Sequence, residues 1–269
     1  MKYMLSNIHT HTTYCDGADT PERMVLSAIE KGFCSIGFSG HSYTEFDTSY
    51  CMTDIQGYIK EINSLKEKYK DKIQIYLGVE EDMYGRVDRK YFDYIIGSCH
   101  YLYKDGHYYP VDESLEDTKK CYEVCNNDLS LFAESYFSAF TDYILERKPE
   151  IIGHFDILTK YDETEETLLL NNKEYLRLAK RYLNRVIDCG SLFEVNTRAV
   201  SSGIRSAPYP CKELLYEICK GKGKIILSSD CHCLDDLDSH FDETKAYLKD
   251  IGFKKVYILY DGKFTQMPL

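Results

Sequence analysis

Eight short apolar runs punctuate the sequence, and between most of them lies a stretch with helical periodicity. The runs are "YMLSNIH", "CSIGFSGH", "IQIYLGVE", "YIIGSCH", "EIIGHFD", "SLFEVNT", "KIILSSDCH" and "KVYILY". Each is of strand length and continuously apolar, as strands buried on both faces are. "TPERMVLSAIEKG" carries threonine and proline suited to a helix start and glycine suited to its end. "TDIQGYIKEINSLKEKYKD", "DLSLFAESYFSAFTDYILERK", "NKEYLRLAKRYLNRVIDCG", "YPCKELLYEICKGKG" and "LDSHFDETKAYLKDIG" have the apolar spacing of amphipathic helices. Strands alternating with helices require a parallel sheet, and so many repeats in one chain predict an α/β barrel, closed or nearly so. No linker rich in proline, glycine or serine divides the chain, so residues 1–269 are expected to form a single domain.

Polar residues at the ends of these runs share a chemistry. In order they are His9 and His11, His41, Glu80, His100, His154, Glu194 with Asn196, and Asp230 with His232. Six of the eight histidines sit at strand ends, leaving His107 and His240 elsewhere, which chance placement explains poorly. In an α/β barrel the carboxyl-terminal strand ends converge on one face, where active sites sit. His9 and His11 match the strand period and so project to the same side. Asp16 lies on the loop beyond them. Imidazole nitrogen with carboxylate oxygen suits zinc, manganese or iron rather than calcium. The donors exceed what one ion needs, so two or three divalent transition-metal ions are expected.

Composition narrows the partners. A formal net charge of −11, with no offsetting run of lysine and arginine, disfavours nucleic acid. No apolar stretch approaches the roughly 20 residues of a membrane helix, and the amino terminus does not read as a signal peptide, so a cytoplasmic protein without membrane contact is expected. Eleven scattered cysteines read as reduced thiols. Cys121 with Cys125 falls on an expected helix and reads as buried. Cys231 and Cys233 bracket His232, and in an extended segment both thiols would point away from it.

The motifs "HTHTTYCDG", "GFSGHS", "GVE", "GSCH", "GHFD" and "SSDCH" resemble those of the polymerase-and-histidinol-phosphatase, or PHP, superfamily of metal-dependent phosphoesterases. Within it the motif order, the chain length, "HYLYKDGHYYPVD" and "EVNT" resemble the monofunctional histidinol-phosphatases, over roughly residues 3 to 235. The resemblance implies a distorted (β/α)7 barrel, similar to a TIM barrel, with a trinuclear metal centre. It implies that His9, His11, Glu80 and Asp230 hold one metal, that Glu80 bridges to a second completed by His100 and His154, and that Asp16, His41 and His232 hold a third. Glu80 is preferred to Glu81 because it directly follows Gly78 and Val79; Glu81 and Asp82 are expected to face solvent or the loop. Gly40 stands where many members have aspartate.

For a phosphate monoester, Arg205 best matches the family's phosphate-binding arginine, with Arg198 as the alternative and Lys160 as a second basic contact. Asp156 is a candidate to orient a ligand histidine, and Tyr43, Tyr101 and Tyr103 to line a pocket for an imidazole-bearing substrate. The expected activity is hydrolysis of L-histidinol phosphate by a metal-bridging hydroxide, with Asp230 and His232 the nearest groups to protonate the leaving alkoxide. Alternatives are a protein-tyrosine phosphatase, a phosphodiesterase of small nucleotides, and a non-catalytic metal-binding regulatory protein. Oligomeric state is not legible in the sequence.

Overall fold

The computed structural model describes residues 4–164 and 169–269. Among them the strands are β1 (Leu5–Asn7), β2 (Phe33–Phe38), β3 (Gln74–Asp82), β4 (Tyr94–Ser98), β5 (Tyr101–Lys104), β6 (His107–Pro110), β7 (Ile151–Ile152), β8 (Leu192–Asn196), β9 (Ile225–Ser228), β10 (Lys255–Tyr260) and β11 (Lys263–Pro268). The helices are α1 (Pro21–Glu30), α2 (Ile55–Tyr69), α3 (Leu115–Val124), α4 (Leu129–Arg147), α5 (Lys173–Val186), α6 (Arg198–Ser201), α7 (Lys212–Lys220) and α8 (Phe241–Ile251). Every apolar run became a strand and every amphipathic stretch a helix; Tyr3, where the first run begins, lies outside the described residues. The boundaries follow local chemistry. Thr20 caps α1 by accepting from the Arg23 amide, Pro21 occupies its first turn, and Gly32 follows it at φ +77°. Asn172 caps α5 by accepting from two amides.

Strands β1, β2, β3, β4, β7, β8 and β9 are neighbours in that order and every pairing is parallel. Thr10 then pairs in parallel with Cys231: the His11 amide donates to the Cys231 carbonyl at 2.9 Å and the Cys231 amide to the His9 carbonyl at 3.3 Å. The ring of seven strands thus closes on residues just past the ends of β1 and β9. This is the expected α/β barrel, distorted because β7 has only two residues and closure rests on one bridge. The antiparallel pair β10–β11 wedges between β9 and the start of β2: β10 meets β9 at Tyr257 opposite Ile226, and Ser35 Oγ donates to the Leu259 carbonyl at 2.7 Å. The β5–β6 hairpin and β11 were not legible as apolar runs.

Three apolar clusters hold these layers together. Ile8, Tyr94, Ile96, Ile151, Leu192, Ile226 and Leu259 fill the barrel lumen. A second cluster packs α1 and α2 onto the barrel wall, and a third packs α3, α4, α5, α7 and α8. The lumen depends on two glycines. A Cβ on Gly78 would lie 2.2 Å from Tyr94 Cζ, and one on Gly37 would lie 2.3 Å from the Tyr94 hydroxyl, so the ring of Tyr94 occupies the space that two absent side chains leave. Its hydroxyl donates to the Ile8 carbonyl, one residue before His9. The packed lumen therefore forms the floor beneath the strand-end residues. All eleven cysteines are free thiols. No helix among the described residues is long and apolar enough to cross a membrane.

Candidate metal centre

All nine residues singled out as ligands, eight at strand ends and Asp16 on a loop, meet at the carboxyl-terminal face of the barrel. His9 and His11 follow β1, His41 follows β2, Glu80 lies on β3, His100 follows β4, His154 follows β7, and Asp230 and His232 follow β9. Asp16 reaches over from the loop before α1. At the centre His9 Nε2 lies 3.1 Å from Glu80 Oε2 and 3.4 Å from Asp230 Oδ1. His11 Nε2 lies 3.4 Å from Glu80 Oε2 and 3.0 Å from Asp230 Oδ1. These four atoms are buried, and none has hydrogen-bond geometry to any partner. Unpartnered polar atoms are costly in a protein interior, and four facing one another indicate a shared ligand. Donors on one zinc ion at 2.0–2.1 Å lie about 3.3 Å apart, close to the separations of the two imidazoles from Glu80 and from Asp230. The residues therefore fit a divalent cation.

Two further groupings adjoin this one. The other Glu80 oxygen, Oε1, lies 2.8 Å from His154 Nε2 and 3.2 Å from His100 Nε2. Toward the rim, Asp16 Oδ2 lies 3.1 Å from His232 Nε2 and 3.6 Å from His41 Nε2, and Asp16 Oδ1 lies 3.4 Å from His11 Nδ1. His41 also turns Nδ1 toward Glu80 Oε2 at 3.0 Å, so it touches both the rim group and the centre. Among the described residues, three sets have donor atoms close enough to share an ion: His11, Asp16, His41 and His232; His9, His11 and Glu80; and His41, Glu80 and His100. A cluster of histidine, glutamate and aspartate side chains suited to divalent metal is thus built into the face.

The charges are mutually supporting. Burial opposes protonation of His9, but Asp230, Glu194 and Glu80 together hold its pKa well above the ordinary imidazole value. His11 and His100 are raised in the same sense, and His41 is pushed up to about 9, with Glu80 the largest opposing influence to burial. In return, and against burial, the imidazoles hold Glu80, Asp16 and Asp230 below the carboxylate range. His232 differs: burial and the neighbouring His11 lower its pKa. Asp230 adopts φ +50°, a left-handed conformation that aspartate tolerates better than most residues and that turns its carboxylate into the cluster.

A profile of the PHP domain matches residues 7–198, which is most of the chain and includes the first seven of these nine residues. The chain belongs to the PHP domain family. This PHP domain is 27% identical over 263 residues to a Schizosaccharomyces pombe protein named "Probable histidinol-phosphatase", with 90% of this chain and 84% of that protein covered. It is 24% identical over 254 residues to the histidinol-phosphatase of Bacillus subtilis, covering 85% of this chain and 94% of the relative. Among solved structures it shares its fold, at a TM-score of 0.73 and 21% identity over 97% of this chain and 98% of the other, with the histidinol phosphate phosphatase of Lactococcus lactis, crystallised with zinc, L-histidinol and phosphate.

Glu81 and Asp82 do not face solvent or the loop; both are buried. Strand alternation sends Glu81 to the outer face of β3, where its carboxylate accepts from Arg147 Nε and Nη2, the Tyr143 hydroxyl and the Val87 amide. Asp82 shares the inner face with Glu80 and accepts from the His100 amide at 3.0 Å, with His100 Nδ1 at 3.2 Å. Period-two spacing along β3 was the signal that could have found it. Asp156 does not touch a ligand histidine: its Oδ2 accepts from the Cys211 amide. The thiols of Cys231 and Cys233 turn from the cluster, toward Asn7 and Asp236, and Cys121 approaches the Pro110 carbonyl. Where the resemblance puts a carboxylate at Gly40, Met52 Sδ and Cys15 Sγ occupy the space, at 2.9 and 3.2 Å from a notional Cβ.

The basic candidates divide. Lys160 lies 3.1 Å from Asp112 with its side chain 23% exposed, and Arg198 lies 3.4 Å from Asp236 with its side chain 34% exposed. Arg205 is buried, its side chain 1% exposed; it stacks on the ring of Tyr209 and donates to Thr159 Oγ1 at 2.9 Å. Beside His100 lies a cavity of about 150 Å³ lined by Tyr50, Tyr101, Asp112 and Glu113. Of the tyrosines expected there, Tyr101 takes part, while Tyr43 and Tyr103 are half-exposed and outside the lining.

Proposed function

We propose that this PHP domain is a metal-dependent phosphomonoesterase that hydrolyses L-histidinol phosphate to L-histidinol and phosphate. The observation that carries the reading is the quartet of buried, unpartnered donor atoms on His9, His11, Glu80 and Asp230, in which both imidazoles face both carboxylates at 3.0–3.4 Å. In this reading those four hold one ion, Glu80 with His100 and His154 a second, and Asp16, His41 and His232 a third, with zinc, manganese or iron as the metals. Bound there, divalent ions make water acidic enough to act as a nucleophile near neutral pH and offset charge on the phosphoryl oxygens.

The side chains of the chain do the rest. Of the three basic candidates, Lys160 and Arg198 keep part of their side chains exposed, and we assign them the phosphate oxygens, for which a planar guanidinium is well matched. Arg205, shielded behind Tyr209, braces Thr159 and so the loop that carries Lys160. The tyrosine-lined cavity, with Asp112 and Glu113 at its wall, suits a cationic leaving group bearing an imidazole and an amine. Asp230 and His232 act as ligands rather than acids in this scheme, because His232 Nδ1 faces the Asp230 carbonyl at 3.0 Å while Nε2 faces Asp16. The substrate reading is supported by the names of the relatives and by the product and phosphate bound to the Lactococcus protein. We read the whole chain as one catalytic domain, since barrel closure joins residues near both ends of the sequence, and the free thiols as fitting the cytoplasm.

A panel of esters tests this. Protein loaded in turn with zinc, manganese and iron should release phosphate rapidly from L-histidinol phosphate and slowly from phosphotyrosine or a dinucleotide. Preference for either of the latter would reassign the substrate, and inactivity on all three with metals bound would reject catalysis.

A further inference from the structure

Glu194 is a fully buried carboxylate on β8 that no ligand grouping includes. Its hydrogen-bond partners are all donors. Oε1 lies 2.5 Å from His9 Nδ1 and accepts from Ser228 Oγ; Oε2 accepts from the His154 amide at 2.8 Å and from Asn196 Nδ2 at 3.1 Å. Asn196 Nδ2 in turn reaches Asp230 Oδ2 at 3.0 Å. One carboxylate thus touches the imidazole of His9, the backbone of His154 and, through one amide, the carboxylate of Asp230.

The contact with His9 has one chemically acceptable form. If Nδ1 carried no hydrogen, its lone pair would face an anionic oxygen at 2.5 Å, so Nδ1 must be the protonated nitrogen. That leaves Nε2, the atom facing Glu80 and Asp230, as the nitrogen with a free lone pair in the neutral ring. The other ligand histidines lack so firm an outer partner. His11 Nδ1 has Cys15 Sγ at 3.5 Å and the rim carboxylate of Asp16 at 3.4 Å; His154 Nδ1 is buried without a hydrogen bond; His100 Nδ1 meets Asp82 at 3.2 Å. Burying a carboxylate is poor evidence of a stabilising role. A carboxylate behind a ligand imidazole, by contrast, fixes the ring's tautomer and direction.

We propose that Glu194 is the positioning residue of the central metal site: it holds His9 as the Nδ1–H tautomer and locks the placement of His154 and Asp230 through the same carboxylate. This rests on the metal-centre reading above. In the zinc-loaded full-length protein, long-range nitrogen–proton NMR should show His9 protonated at Nδ1. Glu194→Gln keeps the shape but brings an NH2 group against donors on one side or the other, and should weaken metal affinity, measured by chelator competition, by about 10–100-fold. Ser228→Ala, which removes a different donor from the same carboxylate, should keep wild-type affinity. A His9 ring protonated at Nε2, or a Glu194→Gln protein that unfolds at lower temperature yet binds metal as tightly as wild type, overturns the role of Glu194. A wild-type protein that binds no divalent metal refutes the metal centre itself and this inference with it. Should Glu194→Gln fail to fold, Glu194→Asp, which keeps the charge but draws the oxygens back from His9 Nδ1, takes its place in the same measurement: weakened affinity supports the role and wild-type affinity overturns it.

Discussion

Replacing Glu81 by alanine should cost this protein stability and leave its metal ligands intact, whereas Glu80→Ala, one residue away, should do the reverse. Glu81 is fully buried and its carboxylate accepts four hydrogen bonds: 2.6 Å from Arg147 Nε, 2.6 Å from Arg147 Nη2, 2.8 Å from the Tyr143 hydroxyl and 2.9 Å from the Val87 amide. Deleting it strands the Arg147 guanidinium, 17% exposed, with the Val87 carbonyl as its remaining hydrogen-bond partner here. Removing one partner of a buried ion pair costs about 3–5 kcal/mol. At roughly 2 °C per kcal/mol for a chain of this length, Tm should fall by roughly 6–10 °C. Glu80 touches imidazoles, at 2.8–3.4 Å, and an imidazole, unlike a guanidinium, has a neutral form, so removing Glu80 strands no permanent charge. The assay is thermal unfolding by circular dichroism in chelator, together with elemental analysis of the metal-reconstituted variants. Wild-type Tm in Glu81→Ala, or metal retained by Glu80→Ala and lost from Glu81→Ala, would refute the division of β3 into an inner and an outer face.

Metal uptake should release protons and strengthen as pH rises from about 6 to 9. The cluster raises the pKa of His9, His11 and His100 and pushes His41 to about 9, so its ion pairs stabilise the metal-free fold fully below the unfolded imidazole value of about 6.5, and that contribution is lost as pH climbs through about 9; calorimetric titration of zinc at pH 7 in buffers of different ionisation enthalpy that registers no proton release would refute this. Lys160→Ala and Arg198→Ala should each lower kcat/KM by about 10–100-fold, mainly through KM and with metal content unchanged, the loss expected for one charged hydrogen bond to phosphate; a larger effect from Arg205→Ala at unchanged Tm would reverse the assignment. Gly78→Ala would set a methyl group 2.2 Å from Tyr94 Cζ inside the packed lumen and should destabilise by about 1–3 kcal/mol, read from denaturant unfolding, with an unchanged midpoint counting against the packing described.

The alternation of strand and helix and the strand-end donors were legible because both are local: burial on two faces writes a continuous apolar run, and His9 and His11 share a side through their spacing of two. The same logic, followed along β3, separates Glu80 and Asp82 from Glu81; what it could not supply is that Arg147 and Tyr143 on α4 would receive Glu81, which is why that residue read as exposed. The β5–β6 hairpin escaped because His107–Pro110 carries its polar and aromatic residues at the rim, without the apolar run of a barrel strand. Arg205 and Arg198 are equivalent as residue types, and it is their tertiary surroundings, Tyr209 and Thr159 around one and Asp236 beside the other, that bury the first and leave the second partly exposed. Glu194 makes the general case. Its place at a strand end was visible, but its contact with His9 spans 185 residues and exists only because Thr10 and Cys231 close the ring. The sequence by itself determined which groups would stand at the strand ends, since periodicity is a property of neighbours. Which of them face one another, and which stand behind as supports, was decided by closure of the barrel, a property of the whole chain.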